Sequence, residues 1–112
     1  MIYLATPYSD PDPAVMEERF DAACHCAGAL MARGEIVFSP IAHTHPIAVR
    51  CALPRDWAFW RRYDMALLMA AGKLLIVRLP GWEESRGIAG EIEIAKALRI
   101  PIEYIDYREC VA

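Results

Sequence analysis

A doubly wound α/β sandwich is the fold class this sequence predicts: a mainly parallel sheet of four or five strands with helices on both faces, flavodoxin- or Rossmann-like in architecture. Three observations predict it. Short apolar runs alternate along the 112 residues with segments whose apolar positions recur at helical spacing. The run Lys73–Arg78 is apolar almost throughout, as a strand covered on both faces should be. Most connections are short, which favours right-handed crossovers between parallel strands. A hydrophobic content of 56% over 112 residues suits one domain with one core, so the whole chain, 1–112, is read as a single unit.

Taken in order, Met1–Ala5 is a short buried strand, and Thr6-Pro7-Tyr8-Ser9-Asp10-Pro11 is a turn-rich loop. Asp12-Pro13 supplies an N-cap and a proline at the first helical position. The helix it opens carries Val15, Phe20, Ala23, Ala27, Leu30 and Met31 at mostly helical spacing and runs to about Arg33, before Gly34 stops it. Glu35–Ser39 is the second strand. Pro40–Leu53 reads as a loop, long enough in so small a domain to suggest a lid or a partner contact. Pro54 opens a second helix that ends near Ala71, ahead of Gly72. After the strand Lys73–Arg78 and the loop Leu79–Arg86, a third helix covers about Gly87–Arg99. Ile102–Ile105 is a fourth strand, placed at an edge because Pro101 stands at its entry. Asp106–Ala112 is left unassigned.

Charge narrows the partners. The 12 Lys and Arg are scattered against 15 Asp and Glu, for a net charge of −3 and a pI near 5.6, which disfavours duplex nucleic acid and fits a small ligand. No apolar run reaches the roughly 18–20 residues needed to span a bilayer, and the N-terminus has no secretory signal, so the expectation is a cytoplasmic protein with no membrane partner. Cys24, Cys26, Cys51 and Cys110 are read as buried free thiols, since Cys24 and Cys26 are two apart in a helix and point to different faces.

Ligands of such folds lie beyond the carboxyl ends of the strands, which gathers Thr6–Ser9, Ser39–His45 and Leu79–Glu91 at one rim. Glu91 falls near the start of the third helix, where the helix dipole favours a carboxylate; Ala95, four residues on, offers it no salt bridge. It is either simple dipole compensation or a reacting group. Asp64 shares a helix face with Trp57, Trp60 and Arg61, either as a surface pair with Arg61 or as the acid of a base-stacking wall to which Trp82 adds a third indole. Ser85, Gly87 and Gly90 make a small-residue helix entry suited to an N-cap or to a phosphate held by backbone N–H groups. His43 and His45 stand two apart in the expected loop. Without a third ligand a metal site is not favoured, and His43 is read as lining the pocket.

Together, Ile2-Tyr3-Leu4-Ala5, Asp64 eight residues before Gly72, and Ser85-x-Gly87-x-x-x-Glu91-x-x-x-Ala95 resemble the nucleoside 2-deoxyribosyltransferase superfamily, including its deoxynucleoside 5′-monophosphate N-glycosidase branch. The resemblance covers most of Met1–Ile105, and Pro80-Gly81-Trp82 looks like a bacterial branch of it. It implies that Glu91 is the nucleophile attacking the anomeric carbon, that Asp64 assists at the nucleobase, and that Tyr3 positions Glu91. Ser85, six before the glutamate, matches the monophosphate hydrolases and implies a phosphorylated ligand. Substrate contacts are then expected from Ser85, Gly87, Tyr8, Trp57, Trp82 and His43, with no cofactor and no metal. The family often completes its pocket from a neighbouring subunit, which implies a homo-oligomer binding a nucleoside or nucleotide. Gly72 and Thr6-Pro7 depart from the family pattern, and they favour the alternative of a non-catalytic nucleotide-binding or sensor module on the same fold.

Overall fold

In the computed structural model, which describes residues 1–112, the elements follow in the order β1 (Ile2–Ala5), α1 (Pro13–Ala32), β2 (Val37–Phe38), α2 (Pro40–Cys51), α3 (Trp57–Met69), β3 (Lys73–Arg78), α4 (Arg86–Ala97), β4 (Ile102–Asp106) and α5 (Tyr107–Val111). The sheet has four strands, all paired in parallel, in the order β2-β1-β3-β4. Chain order reverses between β1 and β3, which makes their carboxyl ends the topological switch point. β4 is an edge strand, as Pro101 at its entry predicts.

The period of two along the strands builds the two layers. Ile2 and Leu4 of β1 and Leu75 and Val77 of β3 pack on Cys26, Ala27 and Leu30 of α1 and Cys110 of α5. The alternate residues Tyr3, Ala5, Leu74 and Ile76 pack on Leu68 of α3 and Ile88, Ile94 and Ala95 of α4. Each buried Leu or Ile in these layers contributes about 1.5–3 kcal/mol. The sheet is therefore covered on both faces and doubly wound. No helix is long and apolar enough to cross a membrane.

The second strand is Val37–Phe38 rather than Glu35–Ser39, and three larger differences from the sequence-based expectation accompany it. Residues 40–51 are helix α2, not a loop: Ser39 caps it by accepting the Ala42 N–H at 3.2 Å, and Pro40 takes the first turn, where no N–H is needed. Pro46 inside it removes one backbone bond, while the buried face of Thr44, His45 and Ala48 holds the segment helical. Helix α3 begins at Trp57 rather than Pro54, because side chains have captured the carbonyls before it. Ser9 Oγ donates to Arg55 O at 2.5 Å and Trp60 Nε1 to Pro54 O at 2.8 Å. The unassigned tail carries α5, which places Cys110 against α1. All four cysteines are free, and the expectation of buried thiols holds for Cys26 and Cys110 only; Cys24 and Cys51 are exposed.

The loops over the switch point are strapped by Arg19 of α1. Its guanidinium donates to Tyr8 O at 3.3 Å, Ser9 O at 3.0 Å and Pro80 O at 3.5 Å, tying the loop after β1 to the loop after β3. Gly81 is required where this strap passes. Its φ is +90°, and a Cβ there would stand 2.5 Å from Arg19 Nη2.

Candidate functional site

A cavity of about 450 Å³ opens at the switch point, floored by Leu4 and Ala5 at the end of β1 and walled by α2, α3 and the start of α4. Tyr3, on β1, donates its phenolic hydrogen to Glu91 Oε2 on α4, across 88 residues of sequence. Glu91 is buried because α4 turns this face onto the sheet beside Ile88, Ile94 and Ala95. Asp64 projects from the middle of α3 toward the same phenol. It is 7% exposed and has no ion pair with Arg61, which lies exposed, so the surface-pair account of Asp64 does not hold.

Burial pushes both carboxyls up, Asp64 to about 7 and Glu91 to about 8. The Tyr3 hydrogen bond pulls each of them back down, and the Asp64 charge raises Glu91 further. Burial, followed by the two neighbouring carboxylates, lifts the Tyr3 phenol far above its ordinary range, so it stays a donor at any working pH. Two buried carboxyls around one phenol titrate as a unit, which near neutral pH holds about one proton between them. Glu91 has the higher value, so the shared proton rests mostly on Glu91. The arrangement with the charge on Glu91 and the proton on Asp64 is the less populated one, and it is the one that the phenol donating to Glu91 supports.

The rest of the lining is mixed in charge. Arg55 and Arg86 stand there with Asp56 and Glu84, together with Ser85 and Gly87 at the N-terminus of α4. Ser85 is the N-cap, its Oγ accepting the Ile88 N–H at 3.2 Å, and its own hydroxyl hydrogen is left over to donate. Trp57 and Trp60 also line the wall. Trp57 lies directly on the backbone of α4: a Cβ at Gly90 would stand 2.3 Å from Trp57 Cζ2 and 2.4 Å from Cε2. Gly90 is there for this close approach of ring and helix rather than for a phosphate-binding entry. Gly90→Ala is expected to push the ring into the cavity. Overpacking of about 1–3 kcal/mol would be partly offset by about 1 kcal/mol of helix propensity; urea unfolding and the indole fluorescence change check both.

Of the residues picked out from sequence, Tyr8, Asp64, Trp57, Ser85, Gly87 and Glu91 line the cavity, and Tyr3 reaches it through Glu91. Two do not. Trp82 packs against the core and Tyr104, ring centroids 5.7 Å apart, because the loop Leu79–Ser85 turns it away from the opening. His43 is exposed beside Phe38 and Tyr63, since helix α2 sends residues two apart to different sides. The same geometry turns His45 inward and keeps the two imidazoles off a common metal ion. His45, Thr6, Thr44 and Arg55 are cavity residues that the sequence motifs do not single out as site residues, whereas Trp60 joins Trp57 in the aromatic wall expected of that helix face. For His45 a signal is present in the Ser39-Pro40 helix start, which fixes the register of α2.

Comparison with known proteins gives a match over residues 1–106 to the model of a family described as a domain of unknown function, DUF1937. The chain belongs to the DUF1937 family. No curated protein matches its sequence. In this DUF1937 domain the matched span contains every residue of the cavity wall, from Leu4 to Glu91.

Proposed function

We propose that the cavity binds a nucleoside 5′-monophosphate or nucleoside and that Glu91 cleaves or transfers its N-glycosidic bond. The observation that carries the reading is the Tyr3–Glu91 hydrogen bond beside Asp64 in a buried pocket with indole walls. A flat nucleobase suits the Trp57 and Trp60 wall. A phosphate suits the start of α4, where the helix N-terminus and the Ser85 hydroxyl offer donors and Arg55 and Arg86 supply positive charge beside Asp56 and Glu84. The anomeric carbon then falls at the carboxyls. The resemblance to nucleoside 2-deoxyribosyltransferases, carried by Tyr3, Asp64, Ser85, Gly87 and Glu91, supports the same assignment.

Two steps follow from these groups. The ionised Glu91 forms a C–O bond to the anomeric carbon as the C–N bond breaks, and Asp64 delivers its proton to the departing base. Water, or a second base, then displaces Glu91 and regenerates its carboxylate. Burial has prepared the pair for both roles, because an acid near neutral pKa can give up a proton at working pH.

The test is product analysis after incubation with a panel of ribo- and deoxyribonucleosides and their 5′-monophosphates, with and without a free base. Base release or base exchange supports the reading; ligand binding with no turnover across the panel moves the assignment to the sensor module. Only the singly protonated pair is competent, so kcat/KM is expected to be bell-shaped with pH. Its maximum should lie between about 7 and 8, set by the raised pKa values of Asp64 and Glu91. A rate still climbing beyond pH 10 would contradict the assignment.

A further inference from the structure

Across the cavity lies a second hydrogen-bonded chain that the Glu91 chemistry does not use. Tyr8 Oη, in the loop after β1, is 2.5 Å from His45 Nδ1 on α2, and His45 Nε2 is 2.8 Å from Glu17 Oε2 on α1. Tyr8 and His45 both line the cavity, whereas the Glu17 side chain is 59% exposed. The His45 ring is 3% exposed and fixed on two sides, stacked on Phe20 at 4.5 Å between centroids and met edge-on by Tyr8 at 5.4 Å. The chain thus runs from the cavity through a buried imidazole to solvent.

Its proton arrangement follows from the acceptors. Glu17, at the surface, is a carboxylate and can only accept, so Nε2 carries the ring hydrogen. Nδ1 then offers a lone pair, and the Tyr8 hydroxyl donates to it. The Tyr8 oxygen keeps its own lone pairs for a donor inside the cavity, where the Arg55 guanidinium stands beside it. A nucleophile or base held by an imidazole that is itself oriented by a carboxylate is a proton-transfer triad by geometry and roles.

We infer that Tyr8, His45 and Glu17 form a second acid–base unit of the cavity, which activates the acceptor water that releases the glycosyl group from Glu91. This rests on the glycosyl reading above. As the water oxygen bonds to the anomeric carbon, the ester C–O bond to Glu91 breaks and its electron pair returns to the carboxylate. The water proton passes to Tyr8 Oη while the phenolic proton passes to His45 Nδ1, giving an imidazolium paired with Glu17. That proton is discharged to solvent, and Asp64, deprotonated when the base left, regains one.

The test uses the full chain with whichever nucleoside or 5′-monophosphate of the panel releases base. Tyr8→Phe and His45→Gln are expected to keep a first burst of one equivalent of base and to lose about 10²–10³-fold in steady-state turnover. Azide, an acceptor with no proton to remove, should restore turnover in both. Glu17→Gln, at the exposed end and away from the core, should show a smaller loss with the same rescue. Unchanged turnover in Tyr8→Phe would overturn the relay and leave the Glu91 chemistry standing. Loss of the burst as well would make Tyr8 a binding residue and overturn it too. If the wild-type protein shows neither base release nor base exchange, the glycosyl reading is removed and the acceptor role falls with it; exchange without release to water overturns the relay alone. Nitrogen-15 NMR of His45 reads the wiring without turnover: Nε2 protonated supports it, and Nδ1 protonated in the free protein overturns it.

Discussion

Glu91→Gln is expected to abolish base release while making the protein more stable at alkaline pH. The first half follows from chemistry, because an amide cannot form the glycosyl ester, and a loss of at least 10³–10⁴-fold is the scale for removing a covalent nucleophile. The second follows from burial. Glu91 is raised from 4.5 to about 8 in the folded state. Below about 4.5 it is protonated folded and unfolded alike, and it contributes no difference. Between about 4.5 and 8 the unfolded chain gives up this proton while the folded protein retains it, so stability falls as pH rises. At about 1.36 kcal/mol per pKa unit, the deficit approaches 4–5 kcal/mol above pH 8 as an upper bound. Glutamine has nearly the same shape, still accepts from Tyr3, and carries no such deficit. Urea unfolding at pH 5 and pH 8.5 checks it: the wild type should lose stability between the two, and Glu91→Gln should lose much less. Equal slopes for the two proteins would sink the account, whatever the activity data show.

Glu91 is legible in the sequence because its setting is written locally. β1 and β3 are unbroken apolar runs, and α4 begins at a serine cap followed by small residues, so periodicity alone places the rim of the sheet and the carboxylate on it. The partner on β1 lies 88 residues away, and spacing carries no trace of that contact. Only the parallel pairing of β1 with β3 brings Tyr3 beneath α4. Where composition and capping disagree, composition misleads. Pro40, Pro46 and two histidines look like a loop, yet Ser39 caps a helix there and the buried Thr44, His45 and Ala48 hold it, which exchanges exposed His43 for buried His45 in the cavity. Trp82 misleads differently, since sequence places its loop at the rim but does not give the direction of one side chain in a turn.

Tyr3→Phe isolates what that long-range contact does. The substitution leaves the β1 packing volume almost unchanged and removes one hydroxyl, so Glu91 stays buried and loses its donor. Tyr3 is the group that lowers the Glu91 pKa against burial and the Asp64 charge; without it the carboxyl should titrate at still higher pH. The Tyr3 hydrogen bond that lowers Asp64 is removed as well. Both limbs of the kcat/KM profile are therefore expected to move to higher pH. At neutral pH the nucleophile is then protonated more of the time and no longer aimed, for a loss of about 10²–10³-fold, comparable to deleting one preorganised donor. A structural role alone would lower stability and expression but leave the pH limbs in place. The readout that decides is thus the position of the profile rather than its height. An alkaline shift assigns Tyr3 to holding the charge on Glu91; a profile that drops without moving returns it to the core.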